Sequence, residues 1–172
     1  TVVDDDEHLI THVKTDDGRL IRFTFDVNPF YVDTLDADVV RTFLAEIYTP
    51  YAARFGEAFG HGMPGFFTDE PQVSRNGIPW SFSLPEAYAE AWGEALLPML
   101  PGLFFEEGPW RRTRYRFWHT VQELFVTAFT EQIYRWCEAH GCALTGHMVL
   151  EETLLSQVTS NAAVMPHYEF FH

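Results

Sequence analysis

Two stretches place carboxylates where chemistry could use them. Met63-Pro64-Gly65-Phe66-Phe67-Thr68-Asp69-Glu70-Pro71 is a short apolar run that ends in two acids and a proline. A buried parallel strand has this form when it delivers acidic residues to its C-terminal rim, and proline ends the ladder where the carboxylates emerge. The run from Cys142 to Glu152 repeats the form. Along it, Thr145, His147, Val149 and Glu151 share one parity, so a strand would send His147 and Glu151 to the same face. Two strands that each end in glutamate point to an acid-rich pocket.

The elements around these stretches must hold them side by side. Asp36 is placed to cap a helix from Ala37 to about Phe55, with Val40, Phe43, Leu44, Ile47 and Tyr51 at helical spacing, Pro50 as a kink and Gly56 as the stop. After the Asp-Glu-Pro stretch, residues 72–83 form a long loop carrying Trp80, in the place where a substrate-binding wall commonly lies. Pro85 begins a helix through Leu97, and the longest helix runs from about Arg112 to His140, closed by Gly141. The second acidic stretch follows at once. Strand, helices, strand is a βαβ crossover, which calls for a parallel sheet. Ahead of all this, the runs 8–14 and 19–26 flank Thr15-Asp16-Asp17-Gly18, a hairpin signal. The expected division is an N-terminal hairpin segment over 1–30 and an α/β body over 31–172.

Composition narrows the ligands. The chain has 172 residues, 47% of them hydrophobic, enough for a core of ordinary size. Its formal net charge of -14 argues against nucleic acid or an anionic membrane surface as partner, because both reward a basic footprint. Neutral and cationic ligands stay open. Aromatic residues make up 16% of the chain, and such rings can stack on the apolar faces of sugars as well as fill a core. Cys137 and Cys142 make no metal-ligand pattern and read as buried free thiols, which favours a reducing compartment and hence the cytoplasm. No stretch approaches the length of a membrane span. The acidic start, Asp4 to Glu7, reads as a solvated end, and both ends of the chain have the look of cuts.

Several pieces taken in order carry a resemblance. Pro-Gly-Phe-Phe-Thr-Asp-Glu-Pro (64–71), Ile-Pro-Trp-Ser (78–81), Leu-Pro-Glu-Ala-Tyr (84–88), Tyr-Arg-Phe-Trp (115–118), Thr-Gly-His-Met-Val-Leu-Glu-Glu (145–152) and Tyr-Glu-Phe-Phe-His (168–172) resemble the catalytic (β/α)8 barrel of large bacterial glycoside hydrolases related to the α-L-rhamnosidases. The likeness covers about Tyr31 to His172. It implies an α/β fold built from part of such a barrel, since a complete one takes about 250 residues. It also implies that Glu70 holds an acid position and that Glu151 supplies a second carboxylate. Exposed barrel edges would then make self-association an expected property.

Glycoside hydrolysis needs one carboxylic acid to protonate the leaving oxygen and a second carboxylate to activate water or attack the sugar. Glu70 and Glu151 are the expected pair. Asp69, His147, Trp80 and Tyr115 are the expected substrate contacts, and the substrate is a carbohydrate. On residue types alone the capping reading is the stronger one: Asp69 or Glu70 would cap the next turn, and Glu151 or Glu152 the next helix. His147, Glu151 and His167 could also bind a divalent metal, but their spacing matches no closed structural site, so no metal or other cofactor is expected. A non-catalytic carbohydrate-binding or scaffold piece, with an inherited and incomplete pocket, is the alternative function.

Overall fold

The structure, a computed structural model, describes residues 6–74 and 77–172; the acidic Asp4-Asp5 pair lies outside the described residues. The fold is mixed α/β and divides into two compact units. One joins the chain up to residue 31 with 82–120, and the other joins 32–81 with 121–172.

In the first unit, β1 (Leu9–Lys14) and β2 (Leu20–Thr24) pair antiparallel, with Val13 opposite Ile21. Gly18 closes the turn at φ 88, a value that glycine adopts at no steric cost. Phe23 is buried against Phe104, their ring centroids 5.7 Å apart. α3 (Leu84–Trp92) carries Pro85 in its first turn and ends on the left-handed Gly93, short of the Leu97 expected. A short helix α4 (Pro101–Phe104) follows, and then α5 (Trp110–Leu124).

The second unit holds both acidic stretches. α1 (Ala37–Phe43) begins as expected, with Asp36 accepting from the Asp38 and Val39 backbone N–H groups. Where a kink is predicted, the helix widens instead. Leu44–Tyr48 is π-helical, the Thr49 N–H reaches back to the Leu44 carbonyl, and α2 (Thr49–Phe55) continues. Widening answers Pro50, which brings no N–H and whose ring would press on the carbonyl four residues back. Gly56 stays right-handed at φ -56, so the helix passes into a 3₁₀ turn (Gly56–Ala58) rather than ending in a left-handed cap.

The long helix runs on from α5 through a second π-helical segment, Phe125–Glu131, into α6 (Gln132–Ala139). It ends at Gly141, φ 69, where the Cys142 N–H bonds the Cys137 carbonyl and the Gly141 N–H bonds the Glu138 carbonyl. That pair of bonds satisfies two terminal carbonyls and turns the chain straight into the next strand. The two cysteines at this turn are buried free thiols, and burial pushes Cys137 up to about 12.

β3 (Gly65–Asp69) and β4 (Ala143–His147) pair in parallel, from Gly65 opposite Ala143 to Asp69 opposite His147. Their buried face is set by Leu144 and Phe66. Leu144 is fully buried, and Phe66 meets Tyr48 at 4.5 Å and Trp136 at 5.7 Å. Two glycines let the strands approach. A β-carbon on Gly65 would collide with the Ala143 backbone, and one on Gly146 with the Thr68 carbonyl oxygen. After β4 come α7 (Leu154–Asn161) and α8 (Met165–Tyr168), and His172 returns to β4, donating its N–H to the Leu144 carbonyl at 2.8 Å. Among the described residues no helix is long and apolar enough to cross a membrane.

One titratable group sits deep in this unit. His167 is fully buried, with its ring against Phe125 and Nδ1 2.6 Å from Thr130 Oγ1. Burial lowers its pKa from 6.5 to about 4, against a smaller opposing pull from the Asn161 backbone. The folded state therefore holds His167 neutral over a range where the unfolded chain already binds a proton. Its contribution is present in full above pH 6.5 and drains away as pH falls toward 4.

Three outcomes are expected. Gly146→Ala should cost about 1–3 kcal/mol in urea unfolding, as overpacking against a backbone does. Gly56→Ala, whose β-carbon meets nothing within 4 Å, should be neutral or slightly stabilising. Between pH 7.5 and 4 the wild type should lose about 3 kcal/mol through His167 that a His167→Gln variant does not lose. Parallel stability curves for the two proteins would contradict this account of the buried imidazole.

Candidate functional site

The in-register pairing puts alternate residues of both strands on one face. Phe67 and Asp69 on β3 therefore share a face with Thr145 and His147 on β4, opposite the half-buried Phe66 and the buried Leu144. At the C-terminal end of that face the imidazole lies between two acids. His147 Nε2 is 3.2 Å from Asp69 Oδ1, and His147 Nδ1 is 3.9 Å from Glu70 Oε1. Glu70 itself stands one residue beyond β3 with φ 54, and its N–H donates to the His147 carbonyl at 3.2 Å. That bond carries the ladder one step further while the left-handed turn redirects the side chain.

This end of the sheet is open. The side chains of Asp69, Glu70 and His147 are 77%, 54% and 46% exposed. Phe66 turns into the core, and Phe67, whose ring meets the His147 ring at 5.5 Å, is itself 58% exposed. The two phenylalanines beside Glu70 in the sequence thus do not enclose it. Its nearest polar neighbour is His147.

Glu151 is placed differently from the strand expectation. β4 ends at His147, so parity along a strand does not place Glu151; a tight loop does. Leu150 adopts φ 54, and side chains that follow the loop hold it on both sides. Asn161 Nδ2 donates to the Val149 carbonyl at 2.5 Å, and Gln157 Nε2 donates to the Glu151 carbonyl at 2.8 Å. These bonds take up backbone acceptors that an extended strand would have offered to a neighbour. The Glu151 carboxylate accepts from the Tyr168 hydroxyl at 2.6 Å. Burial, then the hydrogen bond and charge of Glu151, push the Tyr168 phenol up to about 12.

The capping alternative fails at the second position. Thr153 caps α7 through a reciprocal box with Ser156, which leaves Glu151 and Glu152 outside that role. No helix starts directly after Glu70; α3 begins at Leu84 behind Ser83. His167, the third residue of the metal alternative, is buried against Thr130. Among the described residues no group of three or more histidine, cysteine or acidic side chains could hold an ion.

The remaining expected contacts divide. Trp80 belongs to the same unit as the two glutamates, half-buried, and its indole N–H finds no partner among the described residues. Tyr115 belongs to the other unit. There it is 65% exposed, with Trp92 at 6.3 Å and His119 at 6.0 Å. Sequence reasoning missed Tyr168, Gln157 and Asn161. Tyr168 opens the Tyr-Glu-Phe-Phe-His piece, yet no local pattern in that piece announces that it reaches back to residue 151.

No sequence-family model matches the chain, and no curated protein matches it in sequence. Its fold does match a solved one, described as the structure of rhamnosidase from Novosphingobium sp. PP1Y, with a TM-score of 0.67 at 17% identity. The match covers 86% of this chain and 14% of that one, so the chain spans a small part of the length of the protein it resembles.

An exposed Asp69–His147 pair should contribute little to stability. Asp69→Asn is expected to shift the unfolding free energy by less than about 1 kcal/mol. A larger loss in chemical denaturation would mean that the pair serves the fold rather than a ligand.

Proposed function

We propose that the chain carries the acid and base positions of a glycoside hydrolase and forms a section of a (β/α)8 barrel. The observation that supports this most directly is the pairing of β3 with β4. Two adjacent parallel strands lead at the same end to Glu70, itself left-handed, and, by way of the left-handed Leu150, to Glu151, and His147 stands at that end. The likeness in fold to a rhamnosidase agrees with this placement.

In this reading Glu70 is the general acid. Its carboxyl proton passes to the glycosidic oxygen as the bond from the anomeric carbon to that oxygen breaks. Glu151 is the second carboxylate. It takes a proton from the water that attacks the anomeric carbon, or attacks that carbon itself to form a glycosyl-enzyme that water, deprotonated by Glu70, then hydrolyses, the choice depending on the separation of the two groups. The products are the free sugar and the released alcohol. Glu151 suits the second role because the phenol donates to it, which leaves the carboxylate an acceptor. Asp69 and His147 are open to solvent beside Glu70 and would bind sugar hydroxyls, and the Trp80 ring would stack on the sugar.

The test is a set of aryl glycosides, beginning with 4-nitrophenyl α-L-rhamnopyranoside. Hydrolysis should fall by roughly 10²–10⁴ in Glu70→Gln and in Glu151→Gln while circular dichroism stays that of the wild type. Turnover that survives both substitutions would refute the assignment. Saturable sugar binding with no turnover in any form would instead identify a carbohydrate-binding piece.

A further inference from the structure

The loop that ends in Glu151 is held more tightly than its surroundings require. Val149, Leu150 and Glu151 are consecutive. The carbonyls of the first and third are each taken by a side chain of α7, Asn161 and Gln157, and the leucine between them has φ 54. A left-handed leucine costs on the order of 1–2 kcal/mol, so these bonds hold a conformation the backbone would otherwise leave. They fix where the Glu151 backbone is. They do not fix where its carboxylate points.

That is set by Tyr168, the last residue of α8. Its hydroxyl donates to Glu151 Oε2 at 2.6 Å, the short length of a hydrogen bond to a charged oxygen. The Met148 backbone, just after β4, exerts a smaller opposing pull on the same phenol. A phenylalanine would fill the same space without the bond to Glu151.

We propose that Tyr168 is a positioning residue that aims the Glu151 carboxylate and keeps one of its oxygens engaged as an acceptor, an inference that rests on reading Glu151 as the second carboxylate of a glycoside hydrolase. The other oxygen is then the one left for water or substrate. The phenol transfers no proton in the reaction. Its effect is on the geometry of attack, where a displacement of about 1 Å can cost 10²-fold in rate.

Carbon-13 NMR of glutamate-labelled protein reads the aim directly, without any substrate. Three-bond couplings should show Glu151 in a single staggered χ1 rotamer in the wild type and averaged over rotamers in Tyr168→Phe. Unchanged couplings in that variant would overturn the proposal. On the aryl glycoside the same variant should lose roughly 10–100-fold in kcat with KM within about twofold, because the lost interaction serves the reacting geometry and not ground-state binding. A loss confined to KM would also overturn it. If Tyr168→Phe does not fold, Glu151→Gln tests the contact from the other side. Tyr48 and Tyr168 are both pushed up to about 12, and Tyr168 alone should then move down in site-resolved carbon-13 NMR of labelled tyrosine; an unmoved Tyr168 midpoint would count against the contact. Rotamer averaging in a protein whose wild type neither hydrolyses nor binds any glycoside would support the coupling of Tyr168 to Glu151 and sink the hydrolase reading alone.

Discussion

The parallel ladder between β3 and β4 is the contact on which the rest of the site depends. Five residue pairs in register bring Asp69 level with His147. A slip of one residue would turn His147 to the face where Leu144 is buried and expose the leucine in its place. The ladder depends in turn on having no side chain at two points, Gly65 and Gly146, where a β-carbon would meet the neighbouring backbone. Neither glycine serves a turn; each is a matter of approach. On the buried side, Phe66, Tyr48 and Trp136 form one aromatic cluster, and this burial specifies the register that the polar face then inherits.

Beyond the ladder, both acidic stretches leave their strands by the same kind of step, at Glu70 and at Leu150. Neither is glycine, so each conformation must be held by what surrounds it. Glu70 is held by its own N–H on the His147 carbonyl, a bond that belongs to the ladder. Leu150 is held by side chains from α7 instead. A net hydrogen bond contributes about 0.5–1.5 kcal/mol, so two of them are of the size needed to offset one left-handed leucine. The two glutamates are therefore positioned by different means. One answers to the sheet and the other to the helices that follow it, and this gives the second carboxylate a support that can be altered without touching the strands.

Charge and burial divide the ionisable groups of this unit in a consistent way. Asp69, Glu70 and His147 stay in contact with water, where a ligand can reach them. His167 is sealed in the core, and its burial makes it a source of acid sensitivity rather than a ligand. The two histidines look equivalent as residue types, and only their surroundings separate them.

Much of the local structure was legible in the chain because local rules govern it. The Asp36 cap, the Thr15–Gly18 turn, the first turn of α3 with its Pro85 and the end of the long helix at Gly141 each follow from one or two residues acting on their neighbours. The strand at 65–69 and its acidic end were legible for the same reason, as a short apolar run stopped by proline. Tertiary structure decided what lies between distant residues: that Tyr168 reaches Glu151, that Asn161 and Gln157 shape the loop before it, and that Thr153 takes the cap that Glu151 or Glu152 might have served. The strand parity assigned to Glu151 failed for this reason. Parity is a property of extended backbone, and side chains six and twelve residues away in α7 had already claimed the carbonyls that would have kept it extended. Residue types and spacing determined that carboxylates follow two strands that pair in parallel. Which way each one points was decided by bonds whose partners the sequence keeps apart.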